Sequence, residues 1–228
     1  MLYSEENVRA NIRNRDGKRV FFLGPGDSLT PSARDFLQRQ RIEIRPASEA
    51  KIETYRLENG AIFHEKPEHY THLRGDILVR KTHPVIAFRG AVDTLEAELL
   101  LAQLEAPEAL RSHIGEILEL ARKLIRWEVM DEPAEEGTLC GLTQEQQRQH
   151  SHFPQNFYGI PHFMPEATDG KAMLQLNRAR TAARSAELAA QRAFTKPDGT
   201  CQREDLLRAL NRMSSMLYIL MIRQKSGK

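Results

Sequence analysis

The chain is poor in the residues that mark an extracellular scaffold, a metal finger or a membrane span. It holds two cysteines, Cys140 and Cys201, far apart and with neither a CxxC pair nor an adjacent histidine. That excludes a disulfide framework and a zinc-ribbon spacing, and two isolated thiols are expected to be structural in a reducing compartment. No run approaches the roughly 18 apolar residues of a membrane span, and the opening MLYSEENVRANIRNR has no apolar stretch behind its charges. Net charge is scarce too. Thirty-three Lys and Arg stand against 31 Asp and Glu, a formal +2, so the total charge calls for neither nucleic acid nor an anionic membrane. Any anion site must be local. The expectation is a soluble cytoplasmic protein.

What is present divides in two. Within residues 1–75 short β-like runs at 19–23 and 42–45 flank a helix in LTPSARDFLQRQ, where Thr30 is a good N-cap and Pro31 suits the first helical position. The polar stretch 47–72, with His64, His69 and His72, reads as a linker or flap. No cysteine or paired acids complete a ligand set there, so no metal is expected. From about residue 84 the helical period takes over, with helices expected near 85–105, 108–130, 143–151, 172–195 and 203–223. Val85, Phe88, Val92, Leu95 and Leu99 recur at helical spacing, and Pro107 separates the first two runs. The fold class is mainly α: an up-and-down five-helix bundle over 76–228 with a small α+β amino-terminal part over 1–75. The aromatic and proline-rich connection HSHFPQNFYGIPHFMPEATDGKA is too long and too apolar for a casual loop, and KPDG at 196–199 is a turn before the last helix.

The residues that could carry chemistry cluster late in the chain. In 174–187, LQLNRARTAARSAE, helical spacings of four and three bring Arg180, Arg184 and Glu187 into one file on an alanine-rich helix. Two guanidiniums beside a carboxylate suit a polyphosphate, and equally a solvated charge stripe. Asp93, in FRGAVDTLEAELL, needs a partner if it is buried, and an arginine of the fourth helix could supply it. Asn211, Ser215 and Tyr218 make a polar line on the last helix that faces either a ligand or water. Lys81, in VRKTHP, is a possible phosphate ligand.

Together these motifs resemble the ATP:cob(I)alamin adenosyltransferases, most closely the ethanolamine-utilisation (EutT) type. LTPSAR at 29–34, VRKTHPVIAFRGAVDTLEA, NRARTAARSAE and ALNRMSS occur in the family's order. The resemblance implies a bundle assembled as a homotrimer, with ATP between subunits and Mg2+ sharing the phosphate charge. It further implies that Arg180 and Arg184 grip the triphosphate, that Asp93 fixes Arg180 across the interface, and that Lys81, Glu187 and Asn211 complete the nucleotide site. Cobalamin is the second substrate, and HFMP places Phe163 and Met164 near its lower axial face, with Phe153 and Phe157 as rivals. The implied partners are an adenosylcobalamin-dependent lyase or a reductase, and the implied location is the cytoplasm or a bacterial microcompartment. A binding or delivery protein without turnover, or a structural microcompartment component, is the alternative. This chain departs from the family pattern at Val85, Ala87 and Leu188, lacks the cysteine-rich metal motif, and keeps only an echo of the glycine-rich ATP loop in GPGDSLT at 24–30.

Overall fold

The computed structural model describes residues 1–15, 17–49 and 54–227. Backbone contacts divide it into two units, Met1–Tyr55 with Ile62–Glu65, and Arg56–Ala61 with Lys66–Lys228. In the first unit β1 (Leu2–Tyr3), α1 (Glu5–Ala10), β2 (Arg13–Arg15), β3 (Lys18–Leu23), β4 (Ser28–Leu29), α2 (Pro31–Arg39) and β5 (Glu43–Pro46) follow in order. β3 lies between antiparallel β2 and parallel β5, and β1 pairs in parallel with β4. The expected cap is present: Thr30 Oγ1 accepts the Ala33 N–H at 3.3 Å, with Pro31 opening α2. Val8, Phe21, Ala33, Phe36, Leu37 and Ile42 form the small core. In GPGDSLT the Gly24 N–H donates to Asp27 Oδ2 at 3.1 Å, and the amino terminus pairs with Asp27 Oδ1 at 2.6 Å. Those contacts hold the Asp27 carboxyl below its ordinary range, with the hydrogen bond from the amino terminus the main cause. This glycine amide is engaged inside its own turn.

The 47–72 stretch is more ordered than a polar linker. After a 3-10 turn at Ala47–Glu49 come β6 (Tyr55–Leu57) and β7 (Ile62–Phe63), while 50–53 lie outside the described residues. In the second unit β9 (Ile77–Arg80) runs parallel to β6 and antiparallel to β8 (Tyr70–Arg74), with a bulge between His72 and Arg74.

Five bundle helices follow close to their expected bounds: α3 (Pro84–Glu105), α4 (Glu108–Met130), α5 (Gln144–His152), α7 (Lys171–Phe194) and α8 (Glu204–Ser226). A further short helix, α6 (Pro154–Tyr158), interrupts the long connection, opened by Pro154 and closed by Gly159 in the left-handed region. α3 packs on α4 and α7, α8 packs on α7 and α4, and α5 lies on α8. Ala179, Ala183, Ala186 and Ala190 point from α7 into the core, fully buried. Their small side chains let α7 come close to α3 and α8. Phe88, Leu95 and Leu99 of α3, Ile114, Ile117 and Leu124 of α4, and Leu206, Leu210, Met213, Leu217 and Leu220 of α8 complete the interior, as their spacing predicts. The 196–199 turn is closed by Lys196 and Gly199 amide bonds and puts Cys201 opposite Thr195.

Among the described residues the one buried acid is Glu128, fully inaccessible near the end of α4. Arg89 of α3 reaches it with Nε 2.7 Å from Oε2 and spends Nη2 on the Leu73 carbonyl at 2.8 Å. Arg74 donates to the Glu128 carbonyl at 2.9 Å and stands 3.6 Å from Oε1. One carboxylate thus ties β8 to α3 and α4. Breaking a buried pair from one side leaves an uncompensated charge, which costs about 3–5 kcal/mol. Arg89→Met is therefore expected to lower unfolding stability by about that amount in urea titration, and Arg89→Met with Glu128→Leu to recover most of it. A single-variant loss under about 1 kcal/mol would show that solvent screens the pair.

Candidate functional site

The alanine face of α7 fixes where its arginines go. With 179, 183, 186 and 190 turned inward, Arg180 lies at the edge of the packed face and Arg184 lies exposed one turn further on. Arg180 donates from Nε and Nη2 to Asn177 Oδ1 at 3.1 and 2.9 Å, a neutral partner. Among the described residues neither Arg180 nor Arg184 forms an ion pair. Burial first, and the positive Arg184 second, push the Arg180 pKa down. Two guanidiniums held together without a carboxylate are poised for an external anion.

Glu187, one turn beyond Arg184, does not neutralise the pair. Its Oε1 accepts from Asn211 Nδ2 at 3.2 Å, which links α7 to α8. Asn211 Oδ1 in turn accepts from Arg212 Nη2. Burial lowers the Arg212 pKa, with Arg148 as a further cause. Arg180, Arg184 and Glu187 share one side of α7, in keeping with their spacing, and Asn211 joins them from α8 through Glu187.

A cavity of about 340 Å³ opens beside Arg180, walled by His162, Phe163, Met164, Pro165, Tyr218 and Met221. Its loop wall is held by a hydrogen-bond chain whose direction is set when the His162 ring is neutral. His162 Nε2 is 3.0 Å from the His152 carbonyl, which can only accept, so in the neutral ring this nitrogen carries the hydrogen. Nδ1, 3.1 Å from the Tyr218 hydroxyl, must then accept from it. The Tyr218 oxygen is left free to accept the Phe163 N–H at 3.3 Å. The Phe163 ring stacks on Tyr218 and lies under Lys225, whose Nζ is 4.7 Å from its centre and 2.7 Å from Asp169 Oδ1. Tyr218 is legible in the sequence only as part of a polar line, and His162 carries no signal of its own.

Other expected residues are not gathered here. Lys81 pairs with Glu68 at 3.0 Å on an exposed surface. Asp93 is exposed and, among the described residues, makes no hydrogen bond or ion pair, so it has no need of a partner within the chain. Met164 joins the cavity wall but is 82% exposed, and Phe153 and Phe157 lie outside the set that lines the cavity. Of the three departures, Val85 is packed in the core whereas Ala87 and Leu188 are exposed.

The profile of the cobalamin adenosyltransferases matches residues 61–224. Two relatives, the corrinoid adenosyltransferases EutT of Salmonella typhimurium (strain LT2) and Escherichia coli (strain K12), are each 28% identical, over 243 and 252 residues. Each alignment covers 96% of this chain and 90% of the relative. A solved variant of the PduO-type ATP:co(I)rrinoid adenosyltransferase from Lactobacillus reuteri, complexed with ATP, is 20% identical with a TM-score of 0.48, covering 68% of this chain and 87% of that one. Since the profile spans the hairpin and the bundle from before α3 into the last turn of α8, the chain belongs to the cobalamin adenosyltransferase family.

Proposed function

We propose that this chain is a corrinoid adenosyltransferase of the ethanolamine-utilisation kind, which moves the 5′-deoxyadenosyl group of ATP to the cobalt of cob(I)alamin and yields adenosylcobalamin. The observation that carries the reading is the uncompensated Arg180–Arg184 pair beside the cavity bounded by Phe163 and Tyr218. In the transfer, the cobalt electron pair forms the bond to C5′, the C5′–O bond breaks, and tripolyphosphate leaves with that bond's electrons. Charge grows on the leaving group, and cations already in place stabilise it without reorganising. Arg180 and Arg184 have this role. Cobalt is itself the nucleophile, so no side chain has to act as a base.

The nucleotide arrives as MgATP. Magnesium takes oxygen ligands, and Glu187, a carboxylate fixed by Asn211 beside the clamp, fits that preference; bound there, the ion shields phosphate charge. Asn211 completes the nucleotide site from α8. Phe163 faces the corrinoid's lower side, where an apolar ring in place of an axial donor eases reduction of cobalt.

Assembly as a homotrimer completes the reading. Leu100, Leu101 and Leu104 are exposed on α3, an apolar surface suited to a second copy, and Asp93, which has no partner among the described residues, becomes available to a neighbour's nucleotide site, as does Lys81 once it leaves its exposed pair with Glu68. Cytoplasmic or microcompartment placement, with a lyase or a reductase as partner, follows from the same reading. Sedimentation equilibrium is expected to give three chains per particle, and a monomer at micromolar concentration would reject the shared site.

Anaerobic incubation of chemically reduced cob(I)alamin with MgATP should give a light-sensitive adenosylcobalamin spectrum. Arg184→Ala is expected to lower kcat/KM by roughly 100-fold or more; wild-type rates in the variant would remove the clamp. Tight corrinoid binding without conversion would instead make the chain a carrier. Tyr218→Phe tests the positioning of Phe163: it should leave ATP affinity unchanged and slow cob(II)alamin reduction by about 3–10-fold, the worth of one hydrogen bond. Electron paramagnetic resonance should show a lower four-coordinate cob(II)alamin fraction in that variant, and an unchanged fraction would free Phe163 of Tyr218.

A further inference from the structure

The connection into α5 puts a cysteine where glycine or asparagine is the usual choice. Leu139 and Leu142 exchange backbone bonds of 2.9 and 3.1 Å around Cys140 and Gly141. Both central residues have positive φ, +52° and +77°, as in the two-residue turns that favour Asn-Gly. An ordinary side chain in the left-handed region costs on the order of 1–2 kcal/mol, so cysteine at this position calls for a reason. The turn presses Cys140 onto α4. Its N–H donates to Glu116 Oε2 at 2.9 Å and its thiol to the His113 carbonyl at 3.4 Å. Glu116 Oε1 points the other way, 3.5 Å from His113 Nδ1. His113 and Glu116 are three residues apart on one helical face, and thiol, imidazole and carboxylate ligand atoms all lie within 4.8 Å of one another.

We propose that His113, Glu116 and Cys140 form a binding site for a thiophilic divalent cation of the zinc class. Sulfur, nitrogen and oxygen donors together select zinc-like ions over magnesium or calcium. Zinc bonds of about 2.0–2.3 Å in a tetrahedron bring ligand atoms to about 3.5 Å apart. The His113–Glu116 pair already has that spacing, and closing on the sulfur takes about an ångström of side-chain rotation. The Cys140 amide is a ready-made outer contact that aims Glu116, the kind of support that orients ligands in metal sites. Burial first, with Glu116 second, pushes the free thiol up to about 12. The uncomplexed cysteine is therefore neutral, and cation uptake forms the metal–sulfur bond as the thiol proton leaves to solvent. Glu116 also borders a cavity of about 400 Å³, which gives an ion a way in and leaves room for water as the fourth ligand. A cation here would fasten the 139–142 turn to α4 and so fix where α5 begins.

The test uses the full-length protein, metal-free and thiol-reduced, with Co2+ as a spectroscopic probe and Zn2+ as competitor. One Co2+ per chain is expected, with a sulfur-to-cobalt charge-transfer band and tetrahedral visible bands that Zn2+ abolishes. Zn2+ should raise the unfolding midpoint and a chelator reverse it. Cys140→Asn suits the positive φ and should fold, yet lose the band and weaken Zn2+ binding at least ~100-fold. His113→Ala should weaken it comparably, and it decides the matter if Cys140→Asn fails to fold. Cys201→Ser should bind as the wild type. Absence of the band at saturating Co2+, its survival in both site variants, or its loss in Cys201→Ser would overturn the site.

Discussion

The closeness of α7 to its neighbours governs what the bundle can do. Four fully buried alanines on one face of a 24-residue helix allow two flanking helices to approach, and that packing fixes the rotation of α7 about its own axis. Once the rotation is set, Arg180 is carried to the flank beside α8 and the 159–170 loop, with Arg184 one turn further on. Their placement is thus a by-product of helix packing, and it inherits the rigidity of the core. A bulkier residue at 183 would push α7 outward and shift both guanidiniums together.

Electrostatics in this chain follow two opposite rules. At Glu128 a buried charge is engaged at Oε2 by Arg89 and approached at Oε1 by Arg74, and the contact serves architecture by joining hairpin to bundle. At Arg180 a partly buried charge is left without an acid, beside the exposed Arg184, which disfavours folding and is the usual mark of a site that waits for a ligand. The difference lies in the partner: an internal carboxylate for one, a neutral carboxamide for the other.

Much of this was legible in the residues. The bundle helices announce themselves because periodicity over more than 20 residues is a strong signal, and Pro107 separates the first two. The file of Arg180, Arg184 and Glu187 follows from helical geometry alone. What escaped was non-local or short. α6 spans five residues and has no period to detect, and the strands at 55–57 and 70–74 are too brief and polar to separate from a linker. Glu128 looks like any surface acid in LIRWEVM until Arg89 is brought to it across 39 positions. The His162–Tyr218 link spans 56 positions, and the meeting of Cys140 with His113 depends on a turn whose backbone no cysteine would suggest.

The one-way chain from His152 through His162 and Tyr218 to Phe163 bears on how such a loop can drift through mutation. Each link both gives and receives, so a change at one position strands a donor or an acceptor at the next. Positions 162 and 218 are therefore bound to vary as a couple: a lineage that loses the phenol must replace the imidazole, or let water take its place. Substitutions at Met164, whose side chain takes no part in this chain and faces solvent, are free of that constraint. A loop built this way should accumulate change unevenly, paired at its fixed residues and independent at its tip.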